Sequence, residues 1–162
     1  MQAEGAEVTF IDLHETRFPH FSFDDEAKSG LPEVALELKR HLATHQGLLV
    51  AAPEFNGSFC STLKAAIDWG SRPDPAGRDG LADFEGKVGA LISASKWDHA
   101  GLRGLDHLRT VLSSVGVTLI PQTVSMPHAR DAFTPEWETK NPVYGEQARE
   151  AGRALVRAVR RL

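Results

Sequence analysis

The stretch Pro53-Glu54-Phe55-Asn56-Gly57-Ser58 holds the residues best suited to grip a ligand. It follows a short apolar run at 48–52 that lacks polar alternation, the pattern of a strand buried on both faces. Pro53 has no N–H to give a ladder and ends that strand. Asn56-Gly57 is a turn pair that takes positive φ cheaply. Ser58 or Ser61 can then cap a helix whose apolar or small face is Leu63, Ala66, Ile67 and Gly70. Strand, glycine-containing loop and helix start together leave backbone N–H groups free at the carboxyl end of a strand, where open α/β sheets bind their ligands. A second loop of this kind follows a strand predicted at 87–93. It runs from Ser93-Ala94-Ser95 through Lys96, Trp97, Asp98, His99 and Ala100 to Gly101, on the same rim.

Other reactive side chains are sparse. The single cysteine, Cys60, lies near a predicted helix start, which can lower a thiol pKa, but no neighbouring residue supplies a general base, so it reads as an inert small residue. His41 and His45 are four apart on a helix, yet no third ligand accompanies them and the H-E-x-x-H pattern is absent, so they read as solvent-exposed. The sequence shows no catalytic triad, no paired acid–base carboxylates and no metal cluster.

The elements that must position the rim loops are legible as alternating patterns. Residues 7–13 alternate well enough for a strand. Residues 14–30 read as a loop in which Phe18, Phe21 and Phe23 pack onto the sheet or onto a partner subunit. Pro32 suits the first turn of a helix carrying Val34, Leu38 and Leu42. Residues 102–115 form an amphipathic helix that Gly116 ends. A last strand is predicted at 117–124, where Pro121 marks an edge or a bulge. A loop follows at 126–142, and a final helix carries Ala148, Ala151, Leu155, Val159 and Leu162 along one side. The 162 residues suit one domain, 1–162, and their formal charge of -4 gives no footprint for nucleic acid. No apolar run approaches the roughly 18 residues that span a membrane. No signal peptide is seen and one cysteine forms no internal disulfide, so a cytoplasmic location is expected.

Pro53 to Ser58, followed by Leu63-Lys64-Ala65-Ala66-Ile67-Asp68-Trp69, resembles the signature of the NADPH-dependent FMN reductase family, P-E-Y-N-G-S and then L-K-N-A-[IL]-D-W. Phe55 stands for the usual Tyr and Ala65 for the usual Asn. Ser93, Ala94, Ser95 and Gly101 match that family's S-A-S-x-G-G-x-G-G loop, whereas Trp97, Asp98, His99 and Ala100 depart from it and should narrow or reshape the ring pocket. Asp131-Ala132-Phe133 fits a further family pattern. The resemblance implies a flavodoxin-like three-layer α/β/α fold with a parallel sheet. It implies FMN and NADPH or NADH as cofactors, a flavin, quinone or similar small-molecule electron acceptor, ping-pong turnover, and a homodimer or homotetramer. It also implies that Pro53, Glu54, Phe55, Asn56, Gly57, Ser58, Ser93, Ala94, Ser95 and Gly101 line the cofactor. Backbone N–H groups of 55–58 would meet the N5–O4 edge of the ring. The sparse side-chain chemistry agrees with a protein whose cofactor does the redox work.

The family's opening strand, its G-S-x-R-x-x-S-x-N phosphate loop and its first helix have no counterpart in 1–162. Roughly 20 to 30 residues would hold such a unit. In the strand order 2-1-3-4-5 its loss exposes two strand edges, so the strand at 7–13 should be the least integrated. The alternative reading is a non-catalytic, flavin-free relative that uses the sheet rim as a small-molecule or partner-binding surface.

Overall fold

The computed structural model describes residues 1–162. A 3-10 turn at Gln2–Glu4 is followed by α1 (Leu13–Thr16), α2 (Phe23–Ser29), α3 (Glu33–Thr44) and β1 (Gly47–Ala51). Two short strands, β2 (Glu54–Phe55) and β3 (Ser58–Phe59), precede α4 (Ser61–Gly70). A second 3-10 turn at Gly80–Asp83 leads to β4 (Val88–Ala94), α5 (Leu102–Ser114), β5 (Thr118–Met126) and α6 (Pro142–Val159).

β1, β4 and β5 form a parallel sheet in the order β1-β4-β5, as the three apolar runs predict. Their alternate residues face opposite layers. Leu91 and Val117 pack with Leu42, Leu63, Ile67, Leu105, Leu108 and Leu112 of α3, α4 and α5. Val88, Ala90 and Ile120 pack with Ala154 and Leu155 of α6. The result is the three-layer α/β/α arrangement that the flavodoxin-like reading requires. Between Gly89↔Leu119 and Leu91↔Thr123, β5 runs four residues against two on β4. Pro121, with no N–H to offer, sits in that bulge on an edge strand.

Several expectations need correction. Residues 6–12 form no strand: Val8 is 36% exposed and Phe10 86%, and Leu13 already belongs to α1. A two-residue alternation gives a segment the capacity to be a strand, but only a neighbour makes one, and no strand pairs with β1 on its outer side. The segment 14–30 is not all loop. Ser22 caps α2 by accepting from the Asp25 N–H, and Asp24, Asp25 and Glu26 fill its first turn, where the helix dipole favours anions. Phe18 and Phe21 pack on helices, whereas Phe23 is 68% exposed. Phe18 is buried with Ala35, Ala65, Ala66 and Trp69, and the Trp69 Nε1–H donates to Pro19 O at 3.0 Å. His41 and His45 are half-buried rather than solvent-exposed, the latter with Nδ1 2.8 Å from His41 O and Nε2 3.0 Å from Thr9 Oγ1.

The amino-terminal end of the sheet is fixed by charge. The fully buried Asp83 carboxylate lies 2.9 Å from Lys39 Nζ, off the line a hydrogen bond needs, and accepts from Arg78 Nη2 at 2.6 Å. The carboxyl ends of the strands are left for the loops.

Candidate functional site

Beyond β1 the chain does not pass straight into a helix. It makes a hairpin, pairing Glu54 with Phe59 and Phe55 with Ser58. Asn56 and Gly57 form its two-residue loop at φ 51° and 81°. Positive φ at both central residues is the turn whose twist matches flanking strands, and it favours Asn-Gly. A Cβ on Gly57 would meet nothing within 4 Å, so Gly57 serves the dihedral angle and not a close approach. Neither the Asn56 nor the Gly57 N–H donates to a protein acceptor. Neither candidate serine caps α4. Cys60 holds the N-cap position without a side-chain bond, Ser61 is the first helical residue, and Ser58 Oγ lies 3.1 Å from His107 Nδ1.

The hairpin is clamped to the start of α5. The Glu54 side chain is only 5% exposed, and its Oε1 accepts from Arg103 Nε at 3.0 Å and Nη2 at 2.6 Å. Its Oε2 accepts from the Gly104 N–H at 3.3 Å. Burial pushes the Glu54 carboxyl up, but the Arg103 hydrogen bonds and charge, with the Gly104 N–H, outweigh it and hold the group below its usual range. Gly104 lets the helix come close: a Cβ there would sit 3.3 Å from the Ser58 carbonyl. Arg103, Gly104 and His107 have no signal in the local motifs; only the fold carries them to positions 54 and 58.

The second loop is built on a packed floor. Ser93 and Ser125 are register partners on β4 and β5, and both hydroxyls are buried without a hydrogen-bond partner. Gly101, at φ 85°, lies against Ser93 so closely that a Cβ would stand 1.9 Å from Ser93 Oγ. Ser95 N–H donates to Met126 O and Ser95 O accepts from Ala129 N–H, both at 2.9 Å, which joins this loop to the one after β5. Lys96, Trp97, Asp98 and His99 project outward, with Trp97 61% exposed. Trp97, Asp98, His99 and Arg103 line an open cleft of about 310 Å³. Arg103 is thus common to the cleft and the hairpin, so the two predicted loops meet on one rim. Ser93 and Gly101 lie beneath that rim, packed on each other, and Ala94 ends β4.

A family model for NADPH-dependent FMN reductases matches residues 1–131. The chain belongs to the NADPH-dependent FMN reductase family. Within this family it is 35% identical over 113 residues to a 2-hydroxy-1,4-benzoquinone reductase of Burkholderia sp, covering 70% of this chain and 57% of that protein. It is 29% identical over 163 residues to an NAD(P)H-dependent FMN reductase of Pseudomonas aeruginosa, covering all of this chain and 80% of that one. A solved flavoenzyme NAD(P)H:(acceptor) oxidoreductase from Paracoccus denitrificans superposes with a TM-score of 0.74 at 25% identity, over 92% of this chain and 79% of that one. The expectation of an oxidoreductase family using FMN with NAD(P)H as electron donor is met. No helix is long and apolar enough to cross a membrane.

Proposed function

We propose that the protein is an FMN-dependent NAD(P)H oxidoreductase that passes reducing equivalents from a nicotinamide to a quinone, flavin or similar small acceptor. The redox chemistry is that of the bound isoalloxazine, and the chain's part is to hold and polarise it. The observation that carries the reading is the pair of unpartnered N–H groups at Asn56 and Gly57, on a hairpin that Glu54, Arg103 and Gly104 fix in place. Rigid N–H donors suit the electron-rich edge of a flavin ring, because they stabilise charge there with little reorganisation.

The site residues divide by role. Pro53 directs the chain off β1, and Phe55, Asn56, Gly57 and Ser58 offer backbone to the ring edge. Glu54 acts through its clamp on α5. Ala94 and Ser95 form the wall at the end of β4, while Ser93 and Gly101 set its height. This rim fits the ring of FMN. Its hairpin segment brings no cation to a phosphate, since residues 52–62 carry no lysine or arginine. That lack of a cation in the hairpin segment is what a second reading rests on, a flavin-free, non-catalytic relative that uses the same rim as a small-molecule or partner-binding surface. A cytoplasmic location is proposed from the single cysteine and the absence of a signal peptide, and a homodimer or homotetramer from the family resemblance.

Gly57→Val and Asn56→Pro test the assignment by deforming the turn. Each should abolish flavin binding while the far-ultraviolet circular dichroism stays native. NADH-driven quinone reduction at saturating FMN should be present in the unmodified chain and absent in both variants. Flavin binding that survives both changes would remove the hairpin from the site.

A further inference from the structure

The family's loop after β4 is glycine-rich, and here its centre carries an exposed indole beside a cleft. Trp97 is 61% exposed although its own loop is compact. The Trp97 backbone N–H donates to Ser95 Oγ at 3.4 Å, and its carbonyl accepts from Ala100 N–H at 3.0 Å. The His99 carbonyl accepts from Leu102 N–H at 2.9 Å. The return of the loop is buried and conformationally costly. Ala100 is 5% exposed at φ 54°, a region that non-glycine residues seldom adopt, and Gly101 follows in the same region against Ser93. Such a loop holds its tip in one shape. Lys96 Nζ lies 4.8 Å from the Trp97 ring centroid and covers part of one face, while most of the indole stays open to solvent.

The other walls of the cleft supply donors. Arg103 spends Nε and one N–H of Nη2 on Glu54 and keeps its remaining guanidinium protons. His99 is exposed beside it. The Asp98 carboxylate, the one anion in the lining, lies 3.4 Å from His128 Nε2. An indole face next to N–H donors recognises a planar ring that bears carbonyl oxygens, because the ring stacks while an edge oxygen accepts.

We infer that Trp97 is the specificity-determining platform for the electron acceptor, stacking on planar quinone-type rings whose carbonyl oxygen accepts from Arg103 or His99. This rests on the oxidoreductase reading above. Trp97→Leu keeps an apolar side chain and removes the π-face; Trp97→Phe keeps a smaller π-face. With FMN saturating and NADH as donor, Trp97→Leu should raise the KM for 2,3-dimethyl-1,4-naphthoquinone by roughly five- to tenfold at unchanged kcat. The KM for ferricyanide, which has no ring to stack, should stay the same, and Trp97→Phe should recover most of the loss. In flavin-free, nitrogen-15-labelled protein the same quinone should move the Trp97 indole N–H signal and leave that of buried Trp69 in place. An unchanged quinone KM, an equal rise for ferricyanide, a static indole signal, or a loss of FMN affinity or change of oligomeric state in Trp97→Leu would each overturn the assignment. If the unmodified chain shows no turnover at saturating FMN, the oxidoreductase reading fails, and the indole titration decides the platform separately.

Discussion

Ser93 and Gly101 are a matched pair, and each explains the other. The Ser93 hydroxyl is buried and unpartnered, a cost that most interiors avoid. Gly101 combines a left-handed φ with contact too close for any Cβ. Gly101→Ala should therefore destabilise the protein by about 1–3 kcal/mol in urea titrations. Ser93→Ala should be neutral or stabilising, because it removes a polar group that is already unsatisfied. The double variant should regain part of the Gly101→Ala loss, with a coupling of at least about 0.5 kcal/mol; simple additivity would refute the pairing. Cys60 makes a separate case. It holds the N-cap of α4 without a side-chain bond, and serine is among the best residues there. Cys60→Ser should leave turnover nearly intact and raise stability by about 0.5–1 kcal/mol. Lost turnover with flavin still bound would point instead to thiol chemistry. The need for Gly101 is readable from a glycine-rich loop pattern. Its partner is not, because the clash arises only when the loop folds back over the end of β4.

At the scale of elements, the Glu54 clamp decides whether the hairpin is rigid. Its carboxyl is held below the ordinary value of 4.5, so its contribution to stability is fully present above that value and is lost as pH falls through the lower, folded value. Acid should loosen the hairpin, and the protection of amides 54–59 relative to their intrinsic exchange rate at each pH should fall below about pH 4.5 in the unmodified chain. Asp74, Glu146 and Glu150 are also held low by arginine neighbours and act in the same direction elsewhere. The share due to Glu54 is thus the difference from Glu54→Gln, which should show low protection at 54–59 at every pH. Equal acid sensitivity at 54–59 in both proteins would show that the clamp does not control the hairpin. The parallel strands were readable because runs such as Val88-Gly-Ala-Leu-Ile92 lack polar alternation. The hairpin was not, since strands of two residues have no period to detect. Helix α2 had its signals in view, Ser22 and then three acidic residues, but Pro19 and the interleaved phenylalanines gave the segment the look of a loop. The error at 7–13 has another cause: pairing depends on a neighbour, which a local pattern cannot supply.

For the whole molecule, the central claim is that the rim of β1 and β4 holds a flavin ring. The rim offers donors to the ring, but residues 52–62 carry no cation and no strand pairs with the outer edge of β1. A phosphate needs several charge-assisted partners. Three such bonds at about 1.5 kcal/mol each amount to about 4–5 kcal/mol, on the order of a thousandfold in affinity. Purified residues 1–162 should be colourless and bind added FMN weakly, and joining an upstream strand, G-S-x-R loop and helix should give a yellow protein. The most direct test is an amide chemical-shift titration of residues 1–162 with FMN, which detects weak binding and locates it. Saturable shifts are expected at Asn56, Gly57, Ala94, Ser95 and Gly101, with little change at the Lys39–Asp83 end of the sheet. An absence of shifts at saturating FMN, or shifts gathered away from those two loops, would contradict the central claim.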